Sequence, residues 1–174
     1  TIDIVGAGGA PSRRAAAVNI STMACFVAAG AGAVVCKHGN RRASSTSGSF
    51  DLLEALGVAI DLDAAGVSAC VAEAGVGFAF ARTFHPAMRH VAGVRAELGI
   101  PTVFNILGPL SHPGRVRRQV VGVADASLAE SMISVLAATG SRHAMVVTGH
   151  GPIDEISLTG PSVIRELHDG RITT

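Results

Sequence analysis

KHGNRRASSTSGSFDLLEALG, Lys37 to Gly57, is the stretch on which the reading of the chain turns. The short run Val34 to Cys36 in front of it reads as a buried strand, which delivers Lys37 at its C-terminal end. A polar loop follows, and then a helix capped by Ser49 or Asp51 that ends near Gly57. The loop gathers Lys37, Asn40 and Arg41 with the hydroxyls of Ser44, Ser45, Ser47 and Ser49. Anions bind where backbone N–H groups, hydroxyls and fixed cations converge, and a helix N-terminus adds free N–H groups and the positive end of its dipole. The stretch therefore reads as a site for a phosphorylated small molecule at a strand end, where open α/β sheets bind their ligands.

Working outward, the same strand-then-helix pattern recurs. Ile2 to Val5 is a β-branched run that empties into GAGGAPSRRAAAVNIST, where Gly6, Gly8 and Gly9 allow close approach of backbone to a ligand. Pro11 stands where a dinucleotide fingerprint needs its last glycine, which argues against a Rossmann site. Asn19, Ser21 and Thr22 are placed to cap a helix from Met23 to about Ala31 and to face a phosphate or hydrated cation. Further on, Asp63 opens a helix closed by Gly75, and Val76 to Phe80 is a strand. His85-Pro86 starts a helix whose stripe Ala87, Val91, Val94, Leu98 is expected to face the core, with Arg95 at its margin and Gly99 as the stop.

Pro101 to Leu110 is expected to be a strand and a stiff turn, Gln119 to Val123 a strand, Ala126 to Ala138 a helix and His143 to Thr148 a strand. The loop Gly149 to Glu155 carries Asp154 and Glu155 side by side. At a strand end opposite a phosphate site, these carboxylates suit Mg²⁺. Val163 to Thr173 reads as a hairpin around Asp169-Gly170. The alternation of strands and helices implies an α/β fold, a mostly parallel sheet flanked by helices.

Composition bounds the function. The 174 residues fit one domain with a real core, and 48% are hydrophobic. A net charge of +1 gives no concentrated basic surface, which argues against nucleic acid and membrane partners and for a small polar metabolite. Cys25, Cys36 and Cys70 have no metal-ligand spacing and read as buried free thiols of a reducing compartment. No apolar run reaches the ~20 residues of a membrane span, so a cytoplasmic location is expected. The chain enters a core strand within a few residues of Thr1, which suggests a piece of a longer protein.

Several motifs coincide in order: the glycine loop, Asn19-Ile20-Ser21-Thr22, Lys37-His38-Gly39-Asn40-Arg41, Ser47-Gly48-Ser49 with Asp51 to Gly57, His85-Pro86-Ala87-Met88, Phe104 to Leu110, and Asp154-Glu155-Ile156-Ser157. Together they resemble the anthranilate phosphoribosyltransferase family over nearly the whole chain. The resemblance implies a catalytic domain shared in fold with pyrimidine nucleoside phosphorylases. Residues 1–174 would be its central part, with an N-terminal helical domain and a C-terminal part outside it. It further implies a homodimer. Gly6, Gly9, Asn19, Ser21, Thr22, Lys37, Ser45 and Ser49 would bind 5-phosphoribosyl 1-diphosphate; Gly6, Asn40 and Arg95 would contact anthranilate; and Ser21, Asp154 and Glu155 would hold Mg²⁺. No covalent nucleophile is implied.

The chain departs from the family pattern in the first loop. Ala7, Ala10 and Ala17 stand where polar residues are expected, and the loop is longer by three residues and carries Arg13 and Arg14. Two readings follow: the arginines supply replacement cations to the phosphates, or the protein is a paralogue of the same fold with lost or altered activity, binding nucleotides or nucleic acid. A pyrimidine nucleoside phosphorylase is a further alternative.

Overall fold

The computed structural model describes residues 1–7, 18–41, 48–100, 102–151 and 153–174. The chain runs β1 (Asp3–Gly6), α1 (Ile20–Gly30), β2 (Val35–Gly39), α2 (Ser49–Ala55), α3 (Ala64–Ala74), β3 (Val76–Phe80) and α4 (Ala81–Phe84). After a 3₁₀ turn at Pro86–Met88 come α5 (Arg89–Leu98), α6 (Val103–Leu110), β4 (Arg118–Gly122), α7 (Ala126–Ala138), β5 (His143–Thr148), β6 (Val163–His168) and β7 (Arg171–Thr173).

One sheet has the order β1-β4-β5-β6-β7, and β2 pairs with β3 beside it. The pairs β1–β4, β4–β5 and β2–β3 are parallel, as strands joined through helices must be, and the hairpin strands β6 and β7 complete the mixed sheet antiparallel. Among the described residues the two ladders meet through the parallel bridge between Ile2 and Val35. Gly6 lies level with Gly122, and Gly122 level with Val147, so the loops that follow these strands leave from one edge of the sheet.

Two apolar clusters hold these layers. Ala129, Met132, Ile133 and Leu136 recur at helical spacing on α7 and pack on Val121, Val123, Ala144, Val146 and Leu167. Burying a side chain of the size of Ile133 or Leu136 contributes roughly 1.5–3 kcal/mol relative to leaving it in water. Cys25, Val35, Phe50, Leu53, Phe78 and Phe80 form the second cluster between α1, α2 and the β2–β3 pair, with Phe50 stacked on Phe80. The Asp63 carboxylate accepts from the Gly66 N–H at the start of α3, and Gly75 closes that helix at φ 72°.

Three expectations are corrected. The segment Val103–Leu110 is a helix rather than a strand and stiff turn: Thr102 opens it, its N–H donating to Asn105 Oδ1, and Pro109 falls in the last turn, where it ends the helix instead of preventing it. The α5 stripe does not face a core, since Val94 and Leu98 are both more than half exposed. Periodicity identifies an apolar face but says nothing of what covers it. Finally, Lys37 is in the middle of β2 with its side chain buried, not at a strand end, because the strand continues to Gly39.

Among the described residues no helix is long and apolar enough to cross a membrane. The three cysteines are free, and burial pushes the Cys25 and Cys36 thiols up to about 11.

Candidate functional site

The carboxyl ends of β1, β2, β4 and β5 carry most of the residues singled out from sequence. Gly6 ends β1, and the amide of Ala7 donates to the Gly122 carbonyl at 2.7 Å. The Ala7 methyl is buried in the α7 cluster, so a side chain here faces the core. The expectation that a polar group facing the ligand is lost at this position is corrected accordingly. Gly9, Ala10, Arg13, Arg14 and Ala17 lie outside the described residues, as do Ser44, Ser45 and Ser47.

Helix α1 begins at Ile20 with Asn19 in the N-cap position. The Asn19 side chain makes no cap hydrogen bond. Ser21 and Thr22 lie inside the first turn rather than ahead of it, which corrects the expected capping. Ser21 Oγ accepts from Lys37 Nζ at 3.1 Å, and the same ammonium donates to the Ile4 carbonyl. Thr22 is fully buried, and its Oγ1 has no hydrogen-bond partner among the described residues.

At the end of β2, Gly39 is required by close packing: a Cβ there would meet Ser49 Oγ at 2.5 Å. That hydroxyl instead donates to the Asn40 carbonyl at 3.2 Å. The α2 N-cap is Gly48, not Ser49 or Asp51; the Asp51 carboxylate takes the Gly48 N–H at 2.8 Å. The end of this short helix thus already holds an acid. Arg41 pairs with Glu54 at 2.8 Å on the surface.

The acidic pair is positioned by two glycines that sequence reading did not single out. A Cβ on Gly122 would lie 1.8 Å from the Asp154 carbonyl oxygen, and one on Gly149 would lie 2.1 Å from that of Glu155. Only bare backbone at the ends of β4 and β5 lets this loop lie down on the sheet. Asp154 is buried and Glu155 half-buried. Hydroxyl and carboxylate oxygens are the donors a hard divalent cation takes, so Ser21, Asp154 and Glu155 fit Mg²⁺ by chemistry.

A histidine cluster, also absent from the sequence reading, gathers around His38 of β2. His38 Nε2 lies 3.1 Å from His85 Nε2, so one ring donates and the other accepts, and the His112 ring stands edge-on to His38 at 5.7 Å. The Gly114 N–H donates to His112 Nδ1, which leaves the proton on Nε2 to donate to the Cys36 carbonyl at 2.8 Å. Burial, together with His85 and His112, pushes His38 down to about 3 and keeps it neutral. Burial also lowers His85. Arg95 is turned toward α6, its guanidinium 5.4 Å over the Phe104 ring and 3.4 Å from Asn105 Oδ1. No contact joins it to Asn40 among the described residues.

With this geometry in view, the whole chain, residues 1–174, matches the glycosyl transferase family, a/b domain. The chain belongs to this family. It is 56% identical over 169 residues, 97% of its length, to the anthranilate phosphoribosyltransferase of Roseiflexus castenholzii, and this alignment covers 49% of that protein. It superposes with a TM-score of 0.86 and 47% identity on the crystal structure of anthranilate phosphoribosyltransferase from Thermus thermophilus, covering 99% of this chain and 51% of the other. The Saccharomyces cerevisiae enzyme in complex with PRPP and Mg gives a TM-score of 0.83 at 38% identity, covering 94% of this chain and 45% of the other. The chain thus spans about half the length of the curated relatives it matches.

Proposed function

We propose that the full-length protein transfers the 5-phosphoribosyl group of 5-phosphoribosyl 1-diphosphate to the amine of anthranilate, releasing diphosphate, as a step of tryptophan biosynthesis. The observation that carries this reading is the 56% identity to an anthranilate phosphoribosyltransferase over 97% of the chain. The Lys37–Ser21 pair, and the acidic loop packed against Gly122 level with the end of β1 at Gly6, support it. Residues 1–174 would be the central part of the catalytic domain, and the working enzyme a cytoplasmic homodimer.

In this reading Gly6, Gly9, Asn19, Ser21, Thr22, Lys37, Ser45 and Ser49 bind the diphosphate sugar, while Gly6, Asn40 and Arg95 contact anthranilate. Breaking the C1–O bond builds positive charge on the ribose and negative charge on the leaving diphosphate. Groups fixed beforehand around the leaving oxygens therefore lower the barrier most. Lys37 is suited to this because its ammonium is held on two sides within the protein and needs little reorganisation. Arg95 would orient the anthranilate carboxylate so that the neutral aniline nitrogen meets the sugar carbon in line. Ser21, Asp154 and Glu155 would hold Mg²⁺, which when bound neutralises charge on the diphosphate.

The full-length protein, given Mg²⁺, the diphosphate sugar and anthranilate, is expected to consume anthranilate with a loss of its fluorescence. Unchanged fluorescence at saturating substrates rejects the reading.

A further inference from the structure

The two ladders of the sheet part at a definite place. At their bridge, the Ile2 N–H donates to the Val34 carbonyl at 2.8 Å and the Cys36 N–H to the Ile2 carbonyl at 2.9 Å. A parallel ladder continued by two residues would join Ile4 N–H to the Cys36 carbonyl and His38 N–H to the Ile4 carbonyl. Side chains take these groups instead. The Cys36 carbonyl accepts from His112 Nε2 at 2.8 Å, His38 N–H donates to Asp3 Oδ1 at 3.1 Å, and the Ile4 carbonyl accepts from Lys37 Nζ.

One rung of the sheet is therefore replaced by three side chains, all of them buried: Asp3 is 0% exposed, Lys37 1% and His112 7%. Buried backbone groups must be paired, so strands that separate inside a protein need such substitutes. Here the substitutes are a carboxylate, an ammonium and an imidazole, which come from β1, β2 and the α6–β4 connection. The parting lies just before Gly6 on one strand and Gly39 on the other, so it sets the distance between these two strand ends.

We infer that Asp3 and His112 are positioning residues that hold β1 and β2 apart at Ile4 and His38, keeping Lys37 and the β2 end at Gly39 at a fixed separation from the β1 end at Gly6. The inference rests on the reading that these strand ends flank the site of the diphosphate sugar. Asp3 fixes the strand backbone next to Lys37, and His112 closes the same opening from outside. Neither side chain needs to touch the substrate. Without them, β1 and β2 are free to add the missing rung at ordinary strand spacing, ~4.8 Å, which draws the two strand ends together.

The test is steady-state kinetics and calorimetry of the full-length protein with Mg²⁺ and 5-phosphoribosyl 1-diphosphate, comparing wild type with Asp3→Ala, Asp3→Asn and His112→Ala. Asp3→Ala and His112→Ala are expected to raise KM and Kd for the diphosphate sugar by about tenfold or more, with KM for anthranilate changed by less than about threefold. Asp3→Asn keeps an oxygen acceptor for the His38 N–H and is expected to recover most of the affinity. Since both residues serve one rung, the double variant is expected to lose less than the product of the single losses. If Asp3→Ala does not fold, His112→Ala carries the comparison. Sugar affinity within about threefold of wild type in the folded alanine variants overturns the inference. So does an equal loss of affinity for both substrates. A wild-type protein that binds no diphosphate sugar overturns the functional reading instead, and the inference with it.

Discussion

The Lys37 ammonium reaches from the middle of β2 to the Ser21 hydroxyl at 3.1 Å, tying the strand to the first turn of α1 from inside the protein. A buried ammonium is tolerated there because two oxygens accept from it and the Asp3 carboxylate, whose pKa burial raises, lies close enough for the ammonium to offset part of that rise.

Lys37→Met tests both halves of that arrangement. It removes the cation and leaves Asp3 buried, which is expected to cost about 3 kcal/mol of stability in denaturant unfolding. Loss of a hydrogen bond to a charged ligand adds a binding cost of about 1.5–3 kcal/mol for the diphosphate sugar. Calorimetry of the full-length protein with Mg²⁺ measures the second; an unchanged affinity removes Lys37 from the site.

Glycine-to-alanine substitutions separate the acidic loop from the rest of the sheet. Gly122→Ala and Gly149→Ala place a methyl against the carbonyl oxygens of Asp154 and Glu155. Each is expected to destabilise the protein by about 1–3 kcal/mol and to raise the Mg²⁺ concentration needed for half-maximal activity. Gly93→Ala, on α5 with no atom within 4 Å of the added carbon, is the control. It is expected to leave Mg²⁺ dependence unchanged and to stabilise the helix by up to about 1 kcal/mol.

Stability is expected to fall in mild acid because of His38. The folded protein keeps this imidazole neutral, with its pKa pushed down to about 3 by burial and by His85 and His112. The unfolded chain takes up the proton near the ordinary value of about 6.5. Between those values the unfolded state binds more protons, so the contribution is complete above the upper value and is lost as pH falls through the window. His85 is also lowered and acts in the same sense, whereas Asp3, raised by burial, contributes at low pH and loses that contribution as pH rises. His38→Gln is expected to flatten the drop in denaturant midpoint between about pH 7 and about pH 5. An unchanged drop excludes His38 as its source.

At the start of α3, Asp63→Ala removes the acceptor for the Gly66 N–H and is expected to cost about 1 kcal/mol. Asp63→Asn restores most of it, because an amide oxygen caps nearly as well. The two unfolding midpoints, measured side by side, decide the point.

Much of the fold was legible. Helix Ala126–Ala138 and strand His143–Thr148 coincide with their expected bounds, since an N-cap at Asp125, a clean apolar stripe and a β-rich run are all local signals. The hairpin turning at Asp169-Gly170 was legible for the same reason, both residues having positive φ. Phe104 to Leu110 was misread because Gly-Pro signals a break, while the Thr102–Asn105 cap that makes the segment helical acts at its other end.

The site divides the same way. Sequence by itself determined the order of strands, glycine loops and polar clusters, because turn chemistry and period are written in neighbouring residues. It also supplied the motifs that identify the family. Tertiary structure alone decided that Lys37 points inward to Ser21, that Gly122 and Gly149 make room for the acidic loop, and that His38, His85 and His112 meet. Asp3 and His112 lie far apart in sequence and share no motif. Their pairing with His38 and Cys36 depends on where two strands stop hydrogen bonding to each other, a property of the packed sheet rather than of any local run of residues.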